Sequence, residues 1–253
     1  MFFRAVAEAR IALLLLDYDG TLAGFRLDRF EARPWAGVPE LLAHIQGLGR
    51  SRIAIVTGRP AAEIPKMLAL DLPVEVWGLH GGERLRPDGR REMESQAPEV
   101  RKALEELRMM LRRDALGGLF EDKPNAAVMH WRGRSPRAAR EIERRTRALF
   151  EPVTRIDGLR LLEFEAGLEL RAGRDKGGAV KKIMHESDRN APVTYLGDDL
   201  TDEAAFRAVN GAKAPHLSVL MRRSRRKTEA DVWLKPPEGL RIFLKRWLQA
   251  QSA

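Results

Sequence analysis

The chain has 253 residues, 44% of them hydrophobic, enough for one large domain or for a core with a second small one. It contains no cysteine, which excludes disulfides, thiolate metal sites and a thiol nucleophile and fits a reducing compartment. A net charge of +9 and a pI near 10.2 favour anionic partners and raise nucleic acid as a competing class. Only 6% of residues are aromatic, however, and none interleaves the basic runs RMMLRRD, RAAREIERRTR and MRRSRRK, so no base-stacking platform is evident. Those runs are read as solvated surface.

The N-terminal stretch MFFRAVAEARIALLLL loosely mimics a signal peptide, but its apolar run is short and leads into DYDG, not into a small-residue cleavage site. No run approaches the length of a membrane span. A cytoplasmic protein is therefore expected. Ile11 to Leu16 are all apolar, and Ala12–Leu16 reads as a buried strand that ends in Asp17 and Asp19. Two carboxylates that close repel, so they need a cation, a shared proton or open water. Val38, Leu41, Leu42, Ile45 and Leu48 then repeat at helical spacing. Strands are predicted at Ile53–Thr57 and Val74–Trp77, the first ending in VTGRP.

The middle of the chain changes character. GGERLRPDGRREM reads as a hairpin with a PDG turn, followed by a helix over Pro98–Leu116, the strand AAVMHW, a helix over Pro136–Phe150 and the hairpin LRLLEFEAGLELR. Strand alternation in that last hairpin predicts Leu162 and Phe164 on one face opposite Leu168 and Leu170, with Glu163, Glu165, Glu169 and Arg171 on the other. The polar face is either plain solvent exposure or a lid that reads hydroxyl groups. RDKGGAV then opens a helix with Lys176, and strands follow at Val193–Leu196, His216–Leu220 and Asp231–Leu234. Between the first two of these lies GDDLTDE, with a helix over Thr201–Val209 that opens on an N-cap and acidic residues. This alternation predicts an α/β fold with a doubly wound parallel sheet, a core of residues 1–87 and 173–253, and an inserted α+β domain at 88–172.

Ligands in such sheets sit outside the carboxyl ends of the strands. Four segments converge there, bringing Asp17, Asp19, Thr57, Gly58, Lys176, Asp198, Asp199 and Asp202 to one rim. Carboxylates without sulfur or clustered histidine suit a hard cation, magnesium above all. Lysine and a helix N-terminus suit a phosphate, and an aspartate can attack phosphorus to give an aspartyl-phosphate. Each piece alone is weak, since acidic residues at a helix start also serve as caps. Four of them in order, each at a strand end or helix start, carry the argument.

DYDGTL, VTGR, KGGA and GDDLTDE resemble the four motifs of the haloacid-dehalogenase-like phosphatases, in the branch with a large α/β cap of the C2B type between the second and third. GLHGGE, EDK, HWR and LELR further resemble trehalose-6-phosphate phosphatases. This resemblance implies Asp17 as nucleophile and metal ligand. It implies Asp19 as general acid/base whose carbonyl also binds metal, Asp198 as a direct magnesium ligand, and Asp199 and Asp202 as its supports. Thr57, Gly58 and Lys176 would hold phosphate. Glu121, Lys123 and Glu169 would read glucose hydroxyls, with His130, Arg132 and Arg171 as weaker members and His80 and Gly81 lining the floor. Three features depart from the family pattern: Trp131 replaces a frequent tyrosine, Ala172 stands where proline is usual, and SVLMRRSRRKTEADVWL replaces a glycine-bearing segment.

The expected function is a magnesium-dependent trehalose-6-phosphate phosphatase. Its partner would be a small sugar phosphate, with no nucleic acid or membrane, and any trehalose-phosphate synthase would be a separate protein. The alternatives are a phosphatase for another sugar phosphate, such as a glycosyl-phosphoglycerate, and a basic nucleic-acid-binding protein on a degenerate fold of this type. The acidic rim argues against the last, because without metal it would repel a phosphate backbone.

Overall fold

The structure is a computed structural model that describes residues 1–26, 28–68, 73–113, 116–164 and 166–252. The chain divides into two compact units, residues 1–93 with 174–253, and residues 94–173. It runs through α1 (Phe2–Glu8), β1 (Ala12–Leu16), α2 (Val38–Gly47), β2 (Ser51–Val56), α3 (Ile64–Leu68), β3 (Glu75–Gly78), β4 (Glu83–Leu85) and β5 (Arg91–Met93). Then come α4 (Pro98–Arg113), β6 (Phe120–Lys123), β7 (Ala126–His130), α5 (Pro136–Phe150), β8 (Leu159–Phe164) and β9 (Gly167–Ala172). The last elements are α6 (Lys176–His185), β10 (Val193–Gly197), α7 (Glu203–Asn210), β11 (His216–Met221), β12 (Val232–Leu234) and α8 (Glu238–Ser252).

In the larger unit, eight strands form one sheet in the order β12-β11-β10-β1-β2-β3-β4-β5. The first six are parallel, and β4 and β5 add an antiparallel hairpin at one edge. β1 lies at the centre, and every residue in it is buried, as its unbroken apolar run requires of a strand covered on both faces. Ala12, Leu14 and Leu16 join a core with α1, α2, α3 and α8, whereas Leu13 and Leu15 join one with α6 and α7. Each of these leucines contributes on the order of 2 kcal/mol by leaving water. The N-terminal apolar residues have a defined place: the Phe2 and Phe3 rings pack on Trp247 and Phe243 of α8.

From β1 the chain builds outward to β5 on one side, then returns to β10–β12 on the other, so the order reverses beside β1. Leu16 pairs with Ile55 on one side and Leu196 on the other. That register sets Asp17, Thr57 and Asp198 at adjoining strand ends. The PDG hairpin belongs to the large sheet, and the division falls after Met93, not before Asp88. β5 pairs with β4, which holds it on the larger unit.

A buried charge network also ties the larger unit together. Glu75, 4% exposed, accepts two of the three Arg52 guanidinium nitrogens at 2.8 and 2.9 Å, the Arg84 guanidinium at 2.7 Å and the Trp77 indole at 2.9 Å. Burial pushes the Glu75 carboxyl up, but the Arg52 fork and Arg84 outweigh it and hold the group below the usual range. Glu75→Gln, by removing the carboxylate shared by buried Arg84 and half-buried Arg52, is expected to cost on the order of 3 kcal/mol of unfolding free energy in a denaturant titration. A variant as stable as wild type would show that the network contributes little.

In the smaller unit, β6-β7-β9-β8 form an antiparallel sheet whose apolar face packs on α4 and α5. α4 buries Val100, Ala103, Leu104, Leu107 and Leu111, an amphipathic spacing. α5 starts at the Ser135 cap with Pro136 in its first turn, and its basic residues lie toward glutamates, Arg144 with Glu141 and Arg147 with Glu143 and Glu163. β6 escapes a reading by periodicity because its four residues carry three charges. The predicted faces of the last hairpin need correction. Phe164 pairs with Gly167 and Leu162 with Glu169, so Leu162 and Phe164 share a face with Glu169 and Arg171, while Leu161 and Glu163 lie with Leu168 and Leu170. The pairing sums to an odd number, and that parity is set by the turn, which alternation alone does not reveal. Glu165 lies outside the described residues.

Candidate active site

Three carboxylates gather beyond β1 and β10. One oxygen each from Asp17, Asp198 and Asp202 lie within 4.8 Å of one another, and all three residues are buried. Asp17 is anchored by its own N–H, which donates to the Leu196 carbonyl at 2.8 Å. Gly20 permits the loop that follows: its φ is +84°, and a Cβ there would lie 2.1 Å from Asp198 Oδ2. Any side chain at position 20 would push Asp198 out of place.

Lys176, the first residue of α6 and 3% exposed, enters this group. Its Nζ donates to Asp17 Oδ1 at 2.6 Å and to Asp202 Oδ1 at 2.7 Å. Tyr195 also donates to Asp202 Oδ1, at 2.6 Å, while Asp202 Oδ2 accepts the backbone N–H groups of Asp198 and Asp199 at 2.9 Å each. Four donors thus occupy the lone pairs of Asp202. Asp198 contrasts with it, because its Oδ1 is buried with no hydrogen-bond partner among the described residues. Burial, aided by Asp17 and Asp202, pushes the Asp198 carboxyl well above its ordinary range. Burial also pushes Asp17 up, against the pull of Lys176. Burial draws the Lys176 ammonium down, but Asp17 and Asp202 outweigh it, so Lys176 stays charged. Burial and then Asp202 hold the Tyr195 phenol up, which keeps it a donor. The cluster is short of positive charge, and the orphaned Asp198 oxygen marks where a cation fits.

Asp19 and Asp199 stand outside this group. Both Asp19 oxygens accept the Arg59 guanidinium, at 2.6 Å each, and the Asp19 side chain is 30% exposed. Asp199 is half-buried on the turn before α7. Thr57 is buried and accepts the Arg59 N–H at 3.2 Å on Oγ1. Leu79 and His80 hold left-handed φ values of 51° and 58°, which press the His80 ring against Gly58, where a Cβ would lie 2.6 Å from Nε2. Gly81, at φ +106°, lies against Ala179 and Asp175 of the α6 start. Gly58 thus lies against His80, and Gly81 against the start of α6, which carries Lys176.

In the smaller unit, the pairings place Glu121 and Lys123 of β6, His130 of β7, and Glu169 and Arg171 of β9 on one sheet face. His130 Nε2 lies 2.8 Å from Glu121 Oε2, Lys123 Nζ lies 4.0 Å from the same oxygen, and Arg171 lies 3.7 Å from Glu169. Phe164 flanks His130 on this face, ring to ring at 5.5 Å. Arg132 lies beyond the end of β7 and is exposed. The grip of Arg59 on Asp19 and the Tyr195 bond to Asp202 are not foreseen in the sequence. Tyr195 leaves a signal, a phenol in a fully buried strand.

The parallel sheet, the inserted smaller unit and the carboxylates at the strand ends define a haloacid-dehalogenase-like fold. Solved structures that share it include the following two. The C-terminal domain of C. albicans trehalose-6-phosphate phosphatase has a TM-score of 0.80 at 21% identity, covering 99% of this chain and 95% of that one. A haloacid dehalogenase-like hydrolase from B. subtilis has a TM-score of 0.65 at 16% identity, covering 93% and 99%. Residues 15–237 match the family model described as Trehalose-phosphatase, and the chain belongs to that family. A trehalose-phosphate phosphatase from Mycolicibacterium paratuberculosis is 31% identical over 222 residues, 83% of this chain and 54% of that protein. The chain spans about half the length of the curated relatives it matches.

Proposed function

We propose that this chain is a magnesium-dependent phosphatase that hydrolyses trehalose 6-phosphate through a phosphoryl group carried on Asp17. The observation that carries this reading is the buried Asp17 carboxylate at the end of β1, bonded to Lys176 and set beside the unpartnered oxygen of Asp198. Asp17, Asp198 and the Asp19 carbonyl would hold the magnesium ion. Asp199 and Asp202 would support it, and Asp202 is the poorest donor of the set because its lone pairs are taken. When bound, magnesium supplies positive charge that offsets the carboxylates and the oxygens of the phosphate.

The residues then divide the work. Lys176, Thr57 and the backbone at Gly58 orient the phosphate. A carboxylate oxygen of Asp17 attacks phosphorus, the bond from phosphorus to the sugar oxygen breaks, and Asp19 delivers a proton to that oxygen. Asp19 next takes a proton from water, which attacks phosphorus and restores Asp17. To do this, Asp19 has to leave the Arg59 fork that holds both its oxygens. The polar face of the smaller unit, with Glu121, Lys123, Glu169 and the weaker members His130, Arg132 and Arg171, would read the hydroxyls of the disaccharide, and His80 and Gly81 would line the floor. Among the described residues no helix is long and apolar enough to cross a membrane. We extend the reading to a cytoplasmic setting, which the cysteine-free composition suits, and to a separate synthase that supplies the substrate.

Phosphate release from a panel of sugar phosphates, with magnesium or with excess chelator, tests this function. Trehalose 6-phosphate is expected to be the best substrate, and chelator to remove the activity. Glu121→Ala, Lys123→Ala and Glu169→Ala are expected to weaken turnover of the disaccharide by on the order of 1–3 kcal/mol each, while sparing a small aryl phosphate. Full activity in chelator would overturn the metal assignment. Equal loss on both substrates, in variants that melt like wild type, would make the smaller unit's face structural and not a reader of sugars.

A further inference from the structure

The basic segment after β11, from Arg222 to Lys227, has no part in the chemistry above, and its residues Arg223, Arg225 and Lys227 are exposed. Arg226 behaves differently. One of its terminal nitrogens donates to the Asp199 carbonyl at 2.8 Å and reaches the Asp198 carbonyl at 3.4 Å, where Arg222 also arrives at 3.5 Å. Its other terminal nitrogen donates to Glu203 and to the Lys227 carbonyl. Glu203, the first residue of α7, is fixed in turn by the Thr228 hydroxyl at 2.9 Å and the Glu229 N–H at 2.7 Å.

We propose that Arg226 is a positioning residue for the cation site, clamping the peptide that carries the Asp198 carboxylate. The clamp follows from the local geometry and rests on the function proposed above. The Asp198 carbonyl and the Asp199 N–H belong to one peptide group, and a peptide group is rigid and planar. Its N–H donates to Asp202 Oδ2 on one side, and its carbonyl faces the Arg226 fork on the other. The next carbonyl, of Asp199, is held by the same fork. The peptide before them ends in the Asp198 N–H, which donates to the same Asp202 oxygen at 2.9 Å. The two peptide planes that flank the Asp198 Cα are therefore both held, the second of them from both sides, and this fixes the direction in which the Asp198 Cβ leaves the chain. The orphaned Asp198 oxygen is aimed by this arrangement, and a ligand that is aimed in advance binds its ion more tightly than one that must be ordered on binding. Asp202 alone grips only the N–H side. A guanidinium suits the task because it is planar and presents donors at fixed angles, so it spans the carbonyls and Glu203 together, whereas an ammonium offers a single point of attachment.

Magnesium binding to the whole chain, followed by calorimetry without substrate, tests the clamp. Arg226→Ala is expected to weaken magnesium binding about tenfold or more, the usual scale for losing a group that orients a metal ligand. In turnover the loss is expected as a higher magnesium requirement, with the KM for the sugar phosphate unchanged at saturating metal. Arg226→Lys keeps the charge and loses the fork, and is expected to bind magnesium nearly as weakly as the alanine variant, so it decides the matter if Arg226→Ala fails to fold. Arg223→Ala removes the same charge from an exposed neighbour and is expected to bind like wild type. Wild-type affinity in Arg226→Lys, or equal weakening by Arg223→Ala, would overturn the clamp. A wild type that binds magnesium but releases phosphate from no sugar phosphate would overturn the function and leave the clamp standing, and one that binds no magnesium would overturn both.

Discussion

Asp17→Asn is expected to lose turnover by several orders of magnitude while the protein melts at or above the wild-type temperature. An amide cannot form the acyl phosphate, so the loss follows from the proposed role of Asp17 as nucleophile. The stability half of the result follows from burial. Burial holds the folded Asp17 carboxyl above its unfolded value, so near neutral pH its charge in the folded state opposes folding. Asparagine keeps the shape, removes that charge and leaves Lys176 its second partner, Asp202, at 2.7 Å. A residue that carries a reaction at a cost to the fold should show this opposition of activity and stability. Steady-state kinetics and a thermal melt on one preparation check both halves. Near-normal turnover in a folded Asp17→Asn would remove the aspartyl-phosphate route.

The parts legible without coordinates share a physical property: their environment is written in neighbouring residues. β1 reads as a central strand because five consecutive apolar side chains have to be covered on both faces, and the structure covers them with separate sets of helices. The acidic rim reads as one place because parallel strands end on one edge, and Leu16 pairing with Ile55 and Leu196 aligns those ends. Illegible features depend on partners far along the chain. The face shared by Glu169 and Leu162 depends on one residue of register. Asp19 looks free in DYDG, yet Arg59, forty residues on, grips both its oxygens. Asp198 and Asp202 look alike in GDDLTDE, yet four donors fill one, while an oxygen of the other is left bare. Spacing supplies the residue types, and only tertiary contacts separate the filled carboxylate from the bare one.

Lys176→Met is expected to abolish turnover and to destabilise the fold by on the order of 3–5 kcal/mol near pH 8, the scale for removing one partner of a buried ion pair. Methionine fills the volume of the lysine stem, so the loss reports charge and not a cavity. Without the ammonium, Asp17 and Asp202 face each other in a buried site, with Asp198 beside them. The pH dependence has a definite sign. Lys176 is charged in both the folded and unfolded wild-type chain between pH 5 and 8, since its folded pKa is raised further from an already high value, so its contribution is constant across that window. Asp17 and Asp198 have folded pKa values raised above their unfolded ones by burial, and the Lys176 charge restrains that rise. In Lys176→Met the restraint is gone and the folded state holds these protons to higher pH. A folded state that binds more protons than the unfolded one loses stability as pH rises. The variant should therefore fall further behind wild type at pH 8 than at pH 5. Denaturant titrations of both proteins at the two pH values measure the gap. A gap that does not narrow in acid would mean that Lys176 supports the fold through packing and not by neutralising the carboxylates it touches.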